Sequence, residues 1–381
     1  MQTFSLQLPP SIVFGQDTLS HLGTMAREIG ARALVVSESV LHDGNHISRV
    51  VEILNRAGVD TMTYDELMPG SPASAIDEIA SLARAGKAQM IVGLGGMRVL
   101  STARCVANVA AGKRSVQDML DGNRPETSLP YIEVPSSYRN HLLMRPEAVI
   151  TDGYTGGARM IQLAPHTVRG AVVDTSFTDT LSSKYALAAI MDTLLAAVEG
   201  YYAPQSTMFS DTLLLRATRE LHDAAFAGIK QPGDPRFRQQ AAEAGIITAM
   251  GLAVTGQGIG GGITYAINSR FSLPKSWVAG ILLPHVVDFL TSRDVEKAAR
   301  IAAALGEPVE RITAQDDAPR AARGVRKLMT QLDLPPRLRD LDVTLDDLTR
   351  AAEDAAEFPL MRNVPGGAAA AQAQQLVASA F

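Results

Sequence analysis

Met90-Ile-Val-Gly-Leu-Gly-Gly96, followed by a segment of helical period near 98–112, is the stretch on which the fold turns. A short apolar run that closes in adjacent glycines and opens an amphipathic segment reads as strand, tight turn and helix. The same alternation extends on both sides. Runs rich in branched apolar residues at Ala33 to Ser37, Thr61 to Tyr64, Met90 to Gly93, Tyr131 to Pro135, Ala148 to Thr151 and Ala171 to Asp174 read as strands. Helical segments fall near 16–29, 46–57 and 74–86, and Thr151-Asp-Gly-Tyr-Thr-Gly-Gly157 reads as a turn between two strands. That order predicts a parallel-rich, doubly wound sheet that takes ligands at the carboxyl ends of its strands. Beyond about residue 178 the strand signal stops. Periodic segments at 179–202, 208–229, 235–257, 277–292 and 317–332, with an alanine-rich last helix after Gly366, predict an all-helical half. The expectation is an α/β Rossmann-like domain over 1–177, an all-α domain over 178–381, and a small-molecule cleft at their junction.

Composition excludes several classes of function. Lysine and arginine number 35 against 40 aspartates and glutamates, a net charge of -5 that gives no general footprint for nucleic acid or an anionic membrane. With Cys105 as its one cysteine, the chain has no disulfide framework and no zinc site built on several thiolates. The opening Met1-Gln-Thr-Phe-Ser-Leu-Gln-Leu-Pro-Pro10 lacks the basic and apolar regions of a signal peptide, and no apolar run reaches the roughly 20 residues of a membrane span. A cytoplasmic protein acting on a small molecule is expected.

Several landmarks, in order, resemble the iron-containing, group III alcohol dehydrogenases, relatives of dehydroquinate synthase. They are Ile12-Val-Phe-Gly15, Ile91-Val-Gly-Leu-Gly-Gly96, Val134-Pro-Ser-Ser137, Val149-Ile-Thr-Asp-Gly153, Val172-Val-Asp174, Met191-Asp192 with Val198-Glu199, and Ile281-Leu-Leu-Pro-His-Val286. The resemblance covers almost the whole chain. It implies a dinucleotide-binding domain, a helical metal domain, oxidation or reduction of alcohols and aldehydes, and a homodimer.

Tested residue by residue, the chemistry of that family is altered here. The resemblance implies a divalent metal held by one aspartate and three histidines, the aspartate and first histidine four apart on a helix. Asp192 is retained, but four residues on stands Ala196. Between His222 and His285 there is no histidine, so the other two ligand positions fall on Lys275 and on Gly261, Ile263 or Tyr265. A lone carboxylate beside an ammonium does not make the multidentate shell of a transition metal, and no iron or zinc is expected. His21, His42, His46 and His285 read as surface or packed imidazoles.

The dinucleotide loop has changed too. Where the family has a Gly-Gly-Gly-Ser turn, this chain reads Gly95-Gly96-Met97-Arg98, with Ser101 in place of an aspartate. Where the family has Thr-Thr-x-Gly-Thr-Gly-Ser-Glu, it reads Ser136-Ser137-Tyr138-Arg139-Asn140-His141-Leu142-Leu143. Bulky side chains are expected to crowd the nucleotide cradle. Gly95, Gly96, Arg98, Ser136 and Ser137 are cofactor contacts only if a dinucleotide or phosphate still binds, and no cofactor is the first expectation. Glu38 reads first as an exposed loop glutamate and second as a partner for a ribose hydroxyl.

The replacements supply cations, phenols, an imidazole and a carboxylate: Lys275, Asp192, Tyr138, Arg139, His141 and Tyr265 are the candidate catalytic residues. The Lys275 ammonium is expected in the vacated metal position against Asp192, either as a catalytic cation or as a plug of purely structural value. Glu199 and Tyr201-Tyr202 read as packing and a helix end, and Cys105 as a buried small residue. The first functional expectation is a redox-neutral cyclisation, isomerisation or elimination in a biosynthetic pathway. The alternatives are an NAD(P)-dependent alcohol or aldehyde oxidoreductase and an inactive binding or scaffolding homologue.

Overall fold

The computed structural model describes residues 8, 9, 11–67, 73–308 and 313–381, so the opening stretch read for a leader lies, apart from Leu8 and Pro9, outside the described residues. They form two compact units, one of residues 8–137 and 142–180, the other of residues 138–141 and 181–381.

The first unit is built on β1 (Ser11–Gly15), β2 (Arg32–Val36), β3 (Asp60–Tyr64), β4 (Met90–Gly95), β5 (Tyr131–Pro135) and β8 (Val168–Asp174), all parallel, in the order β1-β8-β5-β4-β2-β3. Its helices are α1 (His21–Ile29), α2 (His46–Arg56), α3 (Ser74–Ala85), α4 (Met97–Ala111) and α5 (Val116–Leu120). β6 (Glu147–Thr151) and β7 (Ala158–Gln162) form a separate antiparallel pair across the turn read from Thr151 to Gly157. Every residue of β4 is buried, as a strand covered on both faces must be, which is why it reads as an unbroken apolar run. Two apolar clusters pack on opposite faces of the sheet. One gathers Leu34, Ile91, Ala103 and Val106, the other Val35, Val50, Leu54 and Val92.

Strand order marks one position on the edge of this sheet. β2 leads through α2 to β3 on one side, whereas β4 leads through α4 to β5 on the other. The carboxyl ends of β2 and β4 therefore diverge at a topological switch point, the position at which open α/β sheets receive a nucleotide.

The second unit has helices and no strand among its described residues: α6 (Ser183–Tyr202), α7 (Met208–Lys230), α8 (Arg236–Thr255), α9 (Ile259–Phe271), α10 (Lys275–Thr291), α11 (Val295–Ala304), α12 (Ala314–Met329), α13 (Leu345–Ala356) and α14 (Ala370–Ala380). Buried from Ala188 to Tyr202, α6 is the central helix, packed against α7, α8, α9 and α10. A helix apolar on every side belongs in such a place. Among the described residues no single helix is long and apolar enough to cross a membrane.

Candidate active site

In the helical unit the chemistry is organised by two carboxylates on α6. Asp192 and Glu199 are seven residues apart, two helical turns, so they share one face. Each meets the start of another helix. Glu199 accepts hydrogen bonds from the backbone amides of Gly258 (3.1 Å), Gly260 (2.5 Å) and Gly261 (3.0 Å) at the N-terminus of α9. Side chains on Gly258 or Gly260 would bring a Cβ to 3.0 Å from the carboxylate, so the approach needs bare backbone. Burial pushes the Glu199 carboxyl up to about 7, against the pull of those three amides. The reading of Glu199 as a helix-end residue describes this contact, although the end it serves belongs to α9 and not to α6. Glu199→Ala leaves three buried amides without an acceptor. The expected loss is about 2–3 kcal/mol, after allowing for relief of the buried carboxylate, and a denaturant titration of Ala and Gln variants measures it.

Asp192, fully buried, meets the start of α10. Its Oδ1 accepts from Lys275 Nζ at 2.6 Å and its Oδ2 from Ser276 Oγ at 3.4 Å. Arg139 Nη1 stands 3.6 Å from Oδ2, within ion-pair range but beyond a hydrogen bond. Burial alone would raise the Asp192 pKa, but Lys275, with His141 and Arg139 behind it, holds it at about 2. The same burial makes Lys275 more acidic than free lysine, opposed by Asp192, and the pair stands as carboxylate and ammonium. Lys275 Nζ also lies 4.6 Å from the centre of the Tyr265 ring, whose hydroxyl donates to Gln257 Oε1 at 3.0 Å. His141, 1% exposed, has its pKa pushed down to about 3 by burial, with Asp192, Lys275, Arg139 and Gln257 around it.

Five of the six residues read as catalytic, Asp192, Lys275, Arg139, His141 and Tyr265, thus gather in one cluster. Tyr138 is buried, with its backbone carbonyl 2.5 Å from where a Cβ on Gly245 would stand. Of the alternatives for the third ligand position, Gly261 is committed to Glu199, Ile263 is buried apolar packing, and Tyr265 alone faces Lys275. Gln257 and Ser276 belong to the cluster and escaped the sequence reading. The signal for Gln257 was a polar residue inside the helix-breaking Thr255-Gly-Gln-Gly258.

The other group of candidates lies at the switch point of the α/β unit. Gly95, at φ +153°, ends β4 where a Cβ would approach Val99 to 3.0 Å, so the turn into α4 tolerates only glycine. Gly96 is the N-cap of α4. From the end of β2, Glu38 reaches across: its Oε2 accepts from Arg98 Nη2 at 2.7 Å and its Oε1 lies 3.5 Å from the Gly96 amide. Ser37 Oγ donates to Leu94 O (3.0 Å) and the Ser136 amide to Gly95 O (3.0 Å), stitching β2, β4 and β5 together; Ser137 follows, buried.

Two expectations change on this geometry. Glu38 is not a loop glutamate facing water, since its side chain is 19% exposed and engaged with Arg98. Nor do both long side chains crowd the turn, because Met97 is buried and Arg98 is drawn onto Glu38. Bare glycine backbone at a helix N-terminus, an acid at the end of the neighbouring strand and a cation in the first turn of α4 fit the pyrophosphate and ribose of a dinucleotide.

Residues 9–175 match the model of iron-containing alcohol dehydrogenases, and residues 186–381 that of the C-terminal region of the Fe-containing alcohol dehydrogenase family. The chain belongs to the iron-containing alcohol dehydrogenase family. It is 23% identical over 380 residues to the NAD-dependent methanol dehydrogenase of Bacillus methanolicus, covering 98% of this chain and 99% of that one. To the lactaldehyde reductase of Escherichia coli K12 it is 23% identical over 351 residues, covering 90% and 91%. A crystal structure of 1,3-propanediol oxidoreductase superimposes with a TM-score of 0.92 at 20% identity over all of both chains, which establishes the fold.

As a member of an alcohol dehydrogenase family, the chain belongs among enzymes that act on small molecules, and two sequence expectations fall. The redox-neutral cyclisation, isomerisation or elimination is overturned, since the matched relatives are named as alcohol dehydrogenases and an aldehyde reductase. The expectation of no cofactor, with neither NAD(P) nor iron or zinc, is overturned by the same membership, because the family is iron-containing and the methanol dehydrogenase relative is NAD-dependent. At Asp192 itself the donor set is an ammonium, a hydroxyl and a guanidinium, which do not fit a divalent cation. No group of three or more histidine, cysteine, aspartate or glutamate side chains assembles elsewhere among the described residues.

Proposed function

We propose that the chain is an NAD(H)-dependent oxidoreductase that interconverts a small alcohol and its aldehyde or ketone. The observation that carries the reading is the Glu38, Gly95, Gly96 and Arg98 constellation at the β2/β4 switch point. Gly95 and Gly96 would admit the pyrophosphate to the start of α4, Arg98 would balance its charge, and Glu38 would accept from the ribose hydroxyls. Nicotinamide supplies or accepts a hydride when bound. Ser136 and Ser137, at the end of the adjacent β5, are further contacts in this reading.

The helical cluster provides the acid and the charge. Lys275 Nζ, oriented by Asp192 Oδ1, would hydrogen-bond the substrate oxygen, stabilise the charge that develops on it during reduction and give up its proton to the alkoxide. Asp192 remains a carboxylate throughout, stabilising the cation and fixing its direction. Burial favours the proton-donating role, since it makes the ammonium a stronger acid than a lysine in water. Tyr265, facing Lys275 and anchored on Gln257, holds the ammonium on one side.

Loss of NADH absorbance with a panel of short aldehydes tests the reading. Consumption of NADH is expected to exceed that of NADPH by at least about tenfold in kcat/KM, because the Glu38 carboxylate repels a 2′-phosphate. Glu38→Ala releases Arg98 and narrows that preference. A chain that neither binds nor consumes either nicotinamide under these conditions overturns the proposal.

A further inference from the structure

We propose that Arg139, His141 and Gln257 recognise a carboxylate carried by the substrate, so that the chain acts on hydroxy acids and their oxo or aldehyde counterparts, not on plain alkanols. The word substrate rests on the oxidoreductase reading; the anion site does not.

Buried polar atoms are almost always hydrogen-bonded, so a local concentration of unpartnered ones marks a place built for something else. Such a concentration is found here. Arg139 Nε, both amide atoms of Asn140, both ring nitrogens of His141 and Gln257 Nε2 are buried without a hydrogen-bond partner. His141 and Gln257, at 1% and 2% exposure, face each other closely enough to interact through their side chains, and Gln257 accepts from Tyr265 with its oxygen while no hydrogen bond reaches its Nε2 donor. The orphaned groups are thus mainly donors: a guanidinium N–H, the two N–H of Gln257 and the one N–H of a neutral imidazole, with Asn140 beside them in the chain.

Charge points the same way. Lys275 and Arg139 bring two positive charges to the cluster, and Asp192 answers one of them. Glu199, the other acid nearby, also acts on Lys275, but its oxygens are taken by three amides of α9 and burial pushes its carboxyl up to about 7, so near neutrality it supplies only part of a negative charge. Arg139 stands too far from Asp192 for a hydrogen bond, and its side chain is three-quarters covered. A partly buried guanidinium with surplus donors around it is matched by a planar anion whose two oxygens accept in a fork, which a carboxylate does and a hydroxyl does not. A neutral alkanol would leave both the extra charge and most of the donors unanswered.

Calorimetric titration of the full chain without dinucleotide, using butyrate, butyramide and 1-butanol as probes of equal length, tests the proposal. Butyrate is expected to bind roughly tenfold or more tightly than either neutral probe. Arg139→Gln is expected to remove that advantage and Arg139→Lys to keep part of it, with the melting temperature followed to show that both variants fold. Equal affinity for the three probes, or an Arg139→Gln variant that binds butyrate as the wild type does, overturns the anion site. Turnover separates the two proposals. NADH consumed faster, by tenfold in kcat/KM, with neutral aldehydes than with carboxylated ones sinks the carboxylate and leaves the oxidoreductase. Butyrate bound selectively by a chain that oxidises no NADH with any aldehyde does the reverse.

Discussion

Lys275→Met is expected to lower turnover by about 10²- to 10⁴-fold, the usual worth of a positioned general acid, while NADH still binds. It is also expected to cost stability, because methionine fills the same volume but leaves the Asp192 carboxylate buried without its ammonium. Breaking one side of such a pair costs about 3–5 kcal/mol. Both side chains of the pair are at most 6% exposed, so solvent screening does little to soften the loss. Arg139 does soften it: its Nη1 is 3.6 Å from Oδ2, and a small movement would close that gap. The stability loss should therefore be larger in Lys275→Met/Arg139→Gln than in the single variant. Removing both charges of the pair with Asp192→Asn/Lys275→Met should recover most of the stability but none of the turnover. Thermal melts read beside NADH consumption distinguish the outcomes. Single and double variants that lose stability but keep wild-type turnover would leave the pair as a structural plug and end its catalytic role.

The placement of Asp192 has a physical reason visible only in three dimensions. Its carboxylate lies against the first two residues of α10, where the partial positive charge of the helix N-terminus favours an anion, just as Glu199 lies against α9. α6 thus ties down the start of two neighbouring helices with one face. Sequence spacing makes the shared face legible, since seven residues return a helix to the same side. It does not say which helix each acid meets, because those partners, Lys275 and Gly258 to Gly261, are about 60 to 80 residues away.

Elements with a strong local pattern were legible in the same way. β4 and α4 announce themselves by a buried apolar run, two glycines and a helical period, and Tyr131 to Pro135 is recovered to the residue as β5. α9 was hidden, because Ile259-Gly-Gly-Gly262 at its start suggests a loop, and the glycines are helical where Glu199 receives the amides of Gly258, Gly260 and Gly261 and neighbouring side chains leave little room for a Cβ. Glu38 was misread for a related reason. Nothing local distinguishes a glutamate after a strand from a surface loop residue, and Arg98, the group that draws it inward, is 60 residues further on. The expectation of a redox-neutral reaction rested on which side chains differ from the family pattern, and such differences carry no information on what the substituted groups meet: Lys275 is seated on Asp192, and Glu38 on Arg98 at the switch point.

His141 should set the acid limit of the fold. Its ring is buried and neutral, with a pKa near 3 in the folded chain against 6.5 in a free histidine. Because the folded value is depressed, the unfolded chain takes up a proton that the folded chain refuses throughout the interval between the two. The stabilisation is therefore complete above pH 6.5 and is lost as the pH falls toward 3, by about 1.4 kcal/mol for each unit. The groups facing the ring act in opposite senses: Asp192 would welcome the imidazolium, Lys275 and Arg139 repel it, and burial outweighs all three. Below about pH 3.8 a second loss begins, since Asp192 is held near 2 and its protonation releases Lys275. Glu199 acts in the opposite sense, since its carboxyl, raised to about 7 in the folded chain against 4.5 in a free glutamate, takes up its proton first there and offsets the His141 slope between about pH 6.5 and 4.5. A plot of unfolding free energy against pH should accordingly fall mainly below 4.5 in the wild type, and His141→Gln, which cannot titrate, should turn the interval from 6.5 to 4.5 into a gain of stability as the pH falls while leaving the loss below about 3.8 in place. An unchanged slope in that variant would mean that the proton enters elsewhere, with His46, also buried and with its pKa lowered, as the group to replace next.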